Sequence, residues 1–240
     1  MHGGEVEFSF QDRKQNILIP DSVTKEVAYE TGVHIGDGWM NIIREGQYRT
    51  PHHRVSYTGN LIDELKFHKE ILIPLIHRIY NKHAYLMKRP GNVCETAFKS
   101  KAIVSFKSKV LRLPKGPKRT LKGIPHAIVD ESDKCVRECV RGIADTDFSL
   151  AFLRKHRGVH YYPKIRYSSP SKNLVKDIEY WLGDIFDFDV ASCYDIHRKD
   201  PRIKGILTTH TLELNGRAML EKWMDEIGFR NEKHLSKFHL

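Results

Sequence analysis

Residues 139–150 of this 240-residue chain read CVRGIADTDFSL. The stretch begins with the small and apolar residues of a closely packed helix face and ends in two aspartates, Asp145 and Asp147. Burial of a carboxylate among apolar residues is unfavourable unless a partner compensates its charge. The stretch therefore predicts a packed helix that presents acidic groups at its end.

The same arrangement occurs earlier in the chain. Residues 27–40 read VAYETGVHIGDGWM, and an alignment of Gly32 with Gly142 places Asp37 on Asp147, 110 residues later. The earlier copy also ends in an acid that follows small and apolar residues. The two stretches are therefore interpreted as copies of one helix.

Further matches follow in the same order. RVSYTGNLIDEL (54–65) matches KIRYSSPSKNLVKDI (164–178), with the two Asn-Leu pairs 113 residues apart. An Ile-Pro pair precedes each copy, at 19–20 and at 124–125. Matched segments that recur in a fixed order predict an internal duplication, and a duplicated sequence predicts two copies of one structural unit.

The composition is that of a globular protein, with 40% hydrophobic and 29% charged residues. No apolar run is long enough to span a bilayer and the N-terminal residues lack the build of a signal peptide, so we expect a cytoplasmic, intracellular protein. The spacing of Cys135 and Cys139 favours two buried thiols on one helix face over a zinc site.

The net charge of +10 is unevenly distributed. Residues 1–125 carry 21 Lys and Arg against 12 Asp and Glu, whereas 126–240 carry 19 against 18. Residues 99–122 contain nine basic residues and no acidic one. A solvated linker at 113–125 explains part of this excess. A polyanionic partner explains all of it, and nucleic acid is the leading candidate.

Apolar residues at helical spacing predict amphipathic helices at 171–186, 217–227 and 60–80. Ser171 is expected to cap the first helix, Gly228 to end the second, and Pro74 to kink or interrupt the third. The apolar face predicted for the first helix consists of Leu174, Ile178, Trp181, Leu182 and Ile185.

Two predicted strands, HHRVSYTG (52–59) and PKIRYSS (163–169), alternate between apolar and polar residues. Such alternation is typical of an antiparallel sheet that packs one face on helices and leaves the other face open. An ordinary solvated face has the same pattern, and this interpretation stays open. Because the open faces are basic and rich in hydrogen-bond donors, we expect them to contact nucleic acid through Arg54, Ser56, Lys164 and Arg166.

Small residues recur at helical spacing in both copies. Ala28, Gly32 and Gly36 follow one another at intervals of four, and Gly142 with Thr146 repeats the interval. A glycine inside a helix costs about 1 kcal/mol relative to alanine. Close contact between two helix backbones would justify this cost, so we expect the three glycines to pack the two motif helices together.

Helices packed in this way would bring Asp37 and Asp147 side by side. Adjacent carboxylates raise each other's pKa unless a cation lies between them. Magnesium prefers ligation by oxygen atoms alone. The two aspartates are therefore the predicted metal ligands.

ETGVHIGDG (30–38) and VRGIADTDF (140–148) resemble the two motifs of single-chain LAGLIDADG homing endonucleases of the archaeal type. The strand-to-helix joins RVSYTGNL and KIRYSSPSKNL and the ending IGFRNEKHLSKF (227–238) extend the resemblance over nearly the whole chain. Two motifs that are each followed by the same order of strand and helix are a more specific signal than one.

The resemblance implies an α+β fold of two pseudo-symmetric αββαββα halves. The halves would span 15–115 and 126–240, joined by a basic linker at 116–125. The two motif helices would form the central interface. Each half would present a curved antiparallel sheet to the major groove of DNA.

The resemblance also implies the site residues. The family's catalytic acid is the eighth motif residue, which falls on Asp37 and Asp147, and two or three Mg²⁺ ions are expected there. The backbone carbonyls before the acids would add further ligands. A basic catalytic residue is expected where the fourth strand meets its following helix: Lys101 in the first half, with Lys99 as the alternative, and Arg217 in the second.

The implied activity is that of a monomeric, Mg²⁺-dependent endonuclease that cuts both strands of a specific DNA site across the minor groove. It would act in intron homing and associate with the nucleoid when bound to DNA. Phe148 replaces the glycine expected after the second acid, and we expect it to strain the turn there or to change the geometry of the turn. This departure favours the alternative, a catalytically weakened relative that regulates through DNA binding or folds intron RNA as a maturase. Asp145 is expected to be a helix-end cap or a structural acid.

Overall fold

The computed structural model describes residues 6–44, 51–154, 158, 160–199 and 205–239. These residues form two α+β halves of the same design, each with one long motif helix, a four-stranded antiparallel sheet and helices packed on the inner face of that sheet. The α+β prediction of two pseudo-symmetric halves is confirmed. No helix in the described ranges is both long enough and apolar enough to cross a membrane.

The elements of the first half are, in chain order, α1 (Phe10–Lys14), α2 (Lys25–Gly36), β1 (Gly38–Arg44), β2 (Pro51–Asn60), a π-helical turn (Phe67–Leu72) continued by α3 (Ile73–Tyr80), β3 (Tyr85–Arg89), β4 (Val93–Lys99), and α4 (Lys101–Ser105) continued by a second π-helical turn (Phe106–Val110). A short 3-10 turn (Lys118–Thr120) lies in the connection to the second half. The motif helix of this half is α2, capped by Thr24.

The elements of the second half are α5 (His126–Val129), α6 (Asp133–Asp147), β5 (Ser149–Leu153), β6 (Tyr162–Ser169), α7 (Lys172–Tyr180) continued by a π-helical turn (Trp181–Ile185), β7 (Val190–Lys199), β8 (Ile206–Asn215), α8 (Arg217–Glu226), α9 (Glu232–Leu235) and a 3-10 turn (Ser236–His239). The motif helix is α6, capped by Ser132. Ser171 caps α7, as predicted.

The two sheets share one topology. Their strand orders are β1-β2-β4-β3 and β5-β6-β8-β7, and all described pairs are antiparallel. The predicted inward residues are buried in both central strands: Val55 and Tyr57 in β2, and Ile165 and Tyr167 in β6. The residues between them lie on the opposite face of each sheet.

The motif helices α2 and α6 touch through their backbones. A Cβ atom added to Gly32 would lie 2.0 Å from the Cys139 carbonyl oxygen, and one added to Gly142 would lie 2.2 Å from the Tyr29 carbonyl oxygen. A Cβ at Gly36 would lie 1.8 Å from Thr146 Oγ1. At these separations even alanine would push the helices apart, so the glycines set how closely the two halves approach.

The motif helix α2 contains buried polar residues, and one of them, Glu30, belongs to a hydrogen-bonded cluster in the core of the first half. Glu30 is fully buried, and both of its carboxylate oxygens accept from Lys107 Nζ, at 2.8 and 2.6 Å. The hydroxyls of Tyr57 and Tyr80 also donate to Glu30. Burial lowers the pKa of Lys107, and the Glu30 charge opposes this shift. A buried charge is tolerated only when it is paired and hydrogen-bonded in this way.

The helix that contains Pro74 is interrupted, in line with the prediction. The chain forms a π-helical turn at Phe67–Leu72, immediately before Pro74, which lies in the first turn of α3. Proline lacks the backbone N–H that an α-helix would need there, and the wider turn accommodates this loss. In α7 and the turn that follows it, Ile185 is 40% exposed and therefore does not belong to the predicted apolar face.

The seam between α2 and α6 gives a first test. Gly142→Ala should destabilise the protein by about 1–3 kcal/mol or more, because the added methyl group would overlap the α2 backbone. Gly183→Ala is the matched control, since a Cβ at this helical glycine would lie 3.9 Å from its nearest neighbour. Chemical denaturation of both variants measures the difference. Equal midpoints for the two variants would contradict close contact at the seam.

Candidate metal and nucleic-acid site

The aspartates predicted to bind metal lie together at one end of the seam. Asp37 is the C-cap of α2, and Asp147 is the last residue of α6. A Cβ built on Gly36 would lie 3.4 Å from Asp147 Cγ, so the end of the first motif helix touches the acid of the second. The acid of the second motif therefore lies beside the backbone of the first motif.

The two carboxylates repel each other. Burial and the charges of Asp147 and Glu64 together raise the pKa of Asp37 to about 7, against the lowering effects of Lys233 and Lys118. Burial also raises the pKa of Asp147, against the lowering effects of Lys118 and Lys233. The Asp147 side chain still reaches solvent, in an open cavity of about 630 Å³ lined by both halves. The pair thus needs a cation to remain fully ionised.

Two lysines from outside the motif helices occupy equivalent positions in the two halves. Lys118 Nζ donates to the Gly36 carbonyl, which immediately precedes Asp37. Lys233 Nζ donates to the Thr146 carbonyl, at 2.6 Å, which immediately precedes Asp147. Lys118 lies in the connection after the first half, and Lys233 lies in α9, after the last long helix of the second half.

The lysine charges divide the site into two centres. Lys118 is the strongest compensating charge for Asp147, whereas Lys233 is the strongest for Asp37. We define the first centre as the Asp147 carboxylate, the Gly36 carbonyl and the Lys118 ammonium. The second centre consists of the Asp37 carboxylate, the Thr146 carbonyl and the Lys233 ammonium. Each centre combines a carboxylate from one half with a carbonyl from the other.

The residues present fit a hard divalent cation. Their donor set consists of oxygen atoms alone, and the two acids carry a charge that burial and mutual repulsion make unfavourable. The described residues contain no cluster of three or more His, Cys, Asp or Glu side chains able to hold a metal. Magnesium often binds through one or two carboxylates together with water and phosphate oxygens, and such a site would suffice here.

The basic residues predicted for catalysis lie elsewhere. Lys101 Nζ pairs with Glu7 Oε2 at 2.8 Å at the start of α4. Arg217 is exposed and pairs with Glu221 at 2.9 Å. Lys99 ends β4, opposite Arg54. The cations at the acid pair are instead Lys118 and Lys233. The sequence did contain a signal for them, because each lysine follows the last long helix of its half within a basic stretch.

The strain expected at Phe148 is absent, but the geometry of the helix end does differ, since α6 runs through its acid Asp147 whereas α2 ends one residue before Asp37. Its backbone is extended, with φ −80° and ψ 156°, and its ring stacks on Tyr167 at 4.8 Å and on Trp223 at 5.5 Å. Gly38, its counterpart, does not adopt a positive φ either. A Cβ at Gly38 would lie 2.5 Å from the Cα of His34, so the first half needs glycine for space. Phe148 therefore fills the core of the second half and does not strain the site.

Asp145 is the structural acid that the sequence predicted. It is fully buried and accepts from the Tyr29 hydroxyl at 2.6 Å and from the backbone N–H groups of Arg230 and Asn231 at 2.8 and 2.9 Å. Burial raises the pKa of Asp145 to about 6, and these hydrogen bonds oppose the shift. Asp145 thereby fixes the chain just before Lys233.

The outer faces of the two sheets carry most of the residues predicted to bind nucleic acid. In the first sheet Glu95 forms salt bridges with Arg54 and Arg89, each at 2.7 Å. In the second sheet Glu213 forms salt bridges with Lys164 at 2.7 Å and with Arg166 at 3.5 Å. Ser56 also points to the outer face but is only 5% exposed, so neighbouring side chains cover it. Each sheet thus holds a pair of basic groups around one carboxylate.

The fold is that of the two-repeat LAGLIDADG homing endonucleases. A crystal structure of I-DmoI in complex with DNA and Mn matches 85% of this chain and 96% of its own chain, with a TM-score of 0.56 and 16% identity. A structure of I-DmoI in complex with DNA and Ca matches 90% of this chain and 98% of its own chain, with a TM-score of 0.58 and 15% identity.

I-SmaMI, bound to uncleaved DNA target in the presence of calcium ions, matches 90% of this chain and 89% of its own, with a TM-score of 0.56 and 10% identity. No protein-family model matches the chain. No curated protein matches it either. This chain therefore resembles these proteins in fold, although the sequence identity is low.

The repulsion at the acid pair predicts a pH-dependent stability. Because the pKa of Asp37 is raised, the folded protein binds a proton that the unfolded chain releases, and the free energy of unfolding falls as the pH rises towards about 7. In metal-free protein, Asp37→Asn should therefore raise the melting temperature at about pH 8 by clearly more than at about pH 5, because the destabilisation grows as the pH rises from the unfolded towards the folded pKa. Asp184→Asn, at an exposed aspartate, is the control. Equal melting temperatures of wild type and Asp37→Asn at the higher pH would contradict the repulsion.

Proposed function

We propose that this chain is a sequence-specific, divalent-metal-dependent endonuclease that cuts both strands of DNA, of the homing type. The observation that supports this best is the pair of centres at the end of the α2–α6 seam, where two acids, two carbonyls and two lysines from both halves converge. The fold neighbours I-DmoI and I-SmaMI are described in complex with DNA and divalent metal ions. The net charge of +10 fits a DNA partner.

In this proposal the two sheets bind the DNA and the seam holds the scissile phosphates. Arg54, Lys164 and Arg166 contact the major groove from the outer faces of the sheets. The approximate twofold relation between the halves matches the two antiparallel strands of one duplex. A single chain then supplies both centres and acts as a monomer.

Asp37 and Asp147 hold the metal, with the carbonyls of Gly36 and Thr146 as further ligands, and Mg²⁺ in two or three positions is the ion proposed. Bound metal would activate a water for in-line attack on phosphorus and stabilise the leaving 3′ oxygen. Lys118 and Lys233 neutralise the charge that develops on the phosphoryl oxygens. Lys101, which pairs with Glu7, has its place in this proposal at the DNA backbone rather than at the reacting atoms.

The proposal extends to the biological context. A double-strand break at one long target site supports intron homing, and the protein would associate with the nucleoid when bound to DNA. The alternative, a binding protein or intron RNA maturase without nuclease activity, rested on Phe148. Because Phe148 packs in the core in a relaxed conformation, no observation now favours that alternative.

Substitution of the acids tests the chemistry. The Asp37→Asn, Asp147→Asn double variant keeps the shape of the site and removes both charged ligands, so cleavage should be lost while DNA binding persists or tightens. The substrate is a supercoiled plasmid library of candidate targets, incubated with Mg²⁺, Mn²⁺ or EDTA and resolved into nicked and linear forms. Asp184→Asn serves as the control. Linear product from the double variant would show that these acids are not catalytic, and tight binding without cleavage by the wild type would establish the binding-only alternative.

Substitution on the sheets tests the DNA interface. Arg166→Ala should weaken target binding by about 1–3 kcal/mol and relax the base preference at one position, because an arginine in the major groove reads a single base. The affinity should fall with salt at a log–log slope of about −0.9 per phosphate contact. Arg217→Ala, on the exposed face of α8, is the control. A salt-independent affinity would refute nucleic-acid binding by this surface.

A further inference from the structure

Glu64, which neither motif contains, connects the first half to the second centre. It lies between β2 and the first π-helical turn and is 7% exposed. One carboxylate oxygen accepts from Asn60 N at 2.7 Å. The other accepts from Lys233 Nζ at 2.6 Å and from Asn231 Nδ2 at 3.3 Å. The carboxylate is thus held in place by its own half and holds the C-terminal segment of the other.

The ammonium of Lys233 is bound on two sides. It donates to Glu64 and also to the Thr146 carbonyl of the second centre, both at 2.6 Å. A charge-assisted hydrogen bond to a fixed carboxylate restricts the rotation of a long lysine side chain. Lys233 is therefore oriented before any substrate binds.

The first centre has no such carboxylate. By the repeat, Asp177 is the counterpart of Glu64, 113 residues later, but it accepts from Ile124 N at 2.7 Å and does not bind a lysine in the described residues. Lys118 has no ion pair within 4.0 Å in the part of the chain that the structure covers, and its described hydrogen bond is to the Gly36 carbonyl. The two lysines, alike in position, are therefore held differently.

We propose that Glu64 is a positioning residue that orients Lys233 and makes the two centres unequal, so that the DNA strand served by the second centre is cut first. The order of cutting rests on the proposed nuclease function. Groups that are oriented beforehand stabilise a transition state without the cost of reorganisation. The second centre has this advantage, and the first centre must orient Lys118 when the substrate binds.

The first experiment measures the orientation of Lys233 without activity. Metal-free wild type, Glu64→Gln and Asp177→Asn are treated briefly with an amine-acetylating reagent, and modification of Lys233 is measured by peptide mass spectrometry against Lys118. Glu64→Gln keeps the size and the Asn60 contact but removes the charge that binds the ammonium. Modification of Lys233 should rise several-fold in Glu64→Gln and stay unchanged in Asp177→Asn. Equal modification of Lys233 in all three proteins would overturn the proposal.

The second experiment resolves the strands. Target DNA labelled differently on its two strands is cut under single-turnover conditions with Mg²⁺. In Glu64→Gln the faster strand should slow by about tenfold to a hundredfold, the effect of a misplaced catalytic group, while the slower strand keeps its rate. In a Lys233→Met background, Glu64→Gln should have no further effect, because Glu64 acts through Lys233. A uniform loss of rate on both strands, or equal losses with and without Lys233, would refute the positioning role.

The two experiments separate the inference from the function on which it rests. A rise in Lys233 modification together with a wild type that cuts no DNA supports the orienting contact and refutes the nuclease function. Cleavage by the wild type with unchanged strand order in Glu64→Gln refutes the inference and leaves the function intact. Melting curves of all variants confirm that folded proteins are compared.

Discussion

The backbone contact between the two motif helices is the constraint on which the rest of the structure depends. At Gly32 and Gly142 a single methyl group would overlap a carbonyl of the opposing helix, so this approach is available only to glycine. The contact fixes the relation between the halves, and with it the relation between the two sheets. It also brings the helix ends together, which places Asp37 and Asp147 beside each other.

The close approach creates an electrostatic problem that the rest of the chain partly solves. Burial raises the pKa of both acids, the charge of Asp147 raises the pKa of Asp37 further, and neither motif helix supplies a compensating cation. Lys118 reaches the site from the connection after the first half and Lys233 from α9, and each donates to the backbone carbonyl that precedes an acid. Residual repulsion makes the site receptive to a divalent cation. The same repulsion lowers the stability of the metal-free protein, a cost that functional sites commonly carry.

The halves repeat one plan and differ where each supports its motif helix. In the first half a buried ion pair, Glu30 with Lys107, anchors the middle of α2. In the second half an aromatic stack of Phe148, Tyr167 and Trp223 packs against the end of α6. Tyr57 and Tyr167 occupy equivalent strand positions, yet only Tyr57 meets a buried carboxylate. Divergence after duplication therefore changed the cores while the seam and the acid pair kept their geometry.

The sequence by itself determined the duplication, the two motif helices, the inward faces of the central strands and the acids at the seam, because periodicity and repeated spacing are local properties of the chain. Only the tertiary structure decided which cations reach the acids. Lys118, Lys233 and Glu64 lie far from the motifs in sequence, and their place depends on how loops return across the two halves. The structure also overturned the strain expected at Phe148, since a residue after a helix can turn into an extended strand without a left-handed conformation. Local patterns reveal what each segment becomes, whereas contacts between distant segments follow from packing.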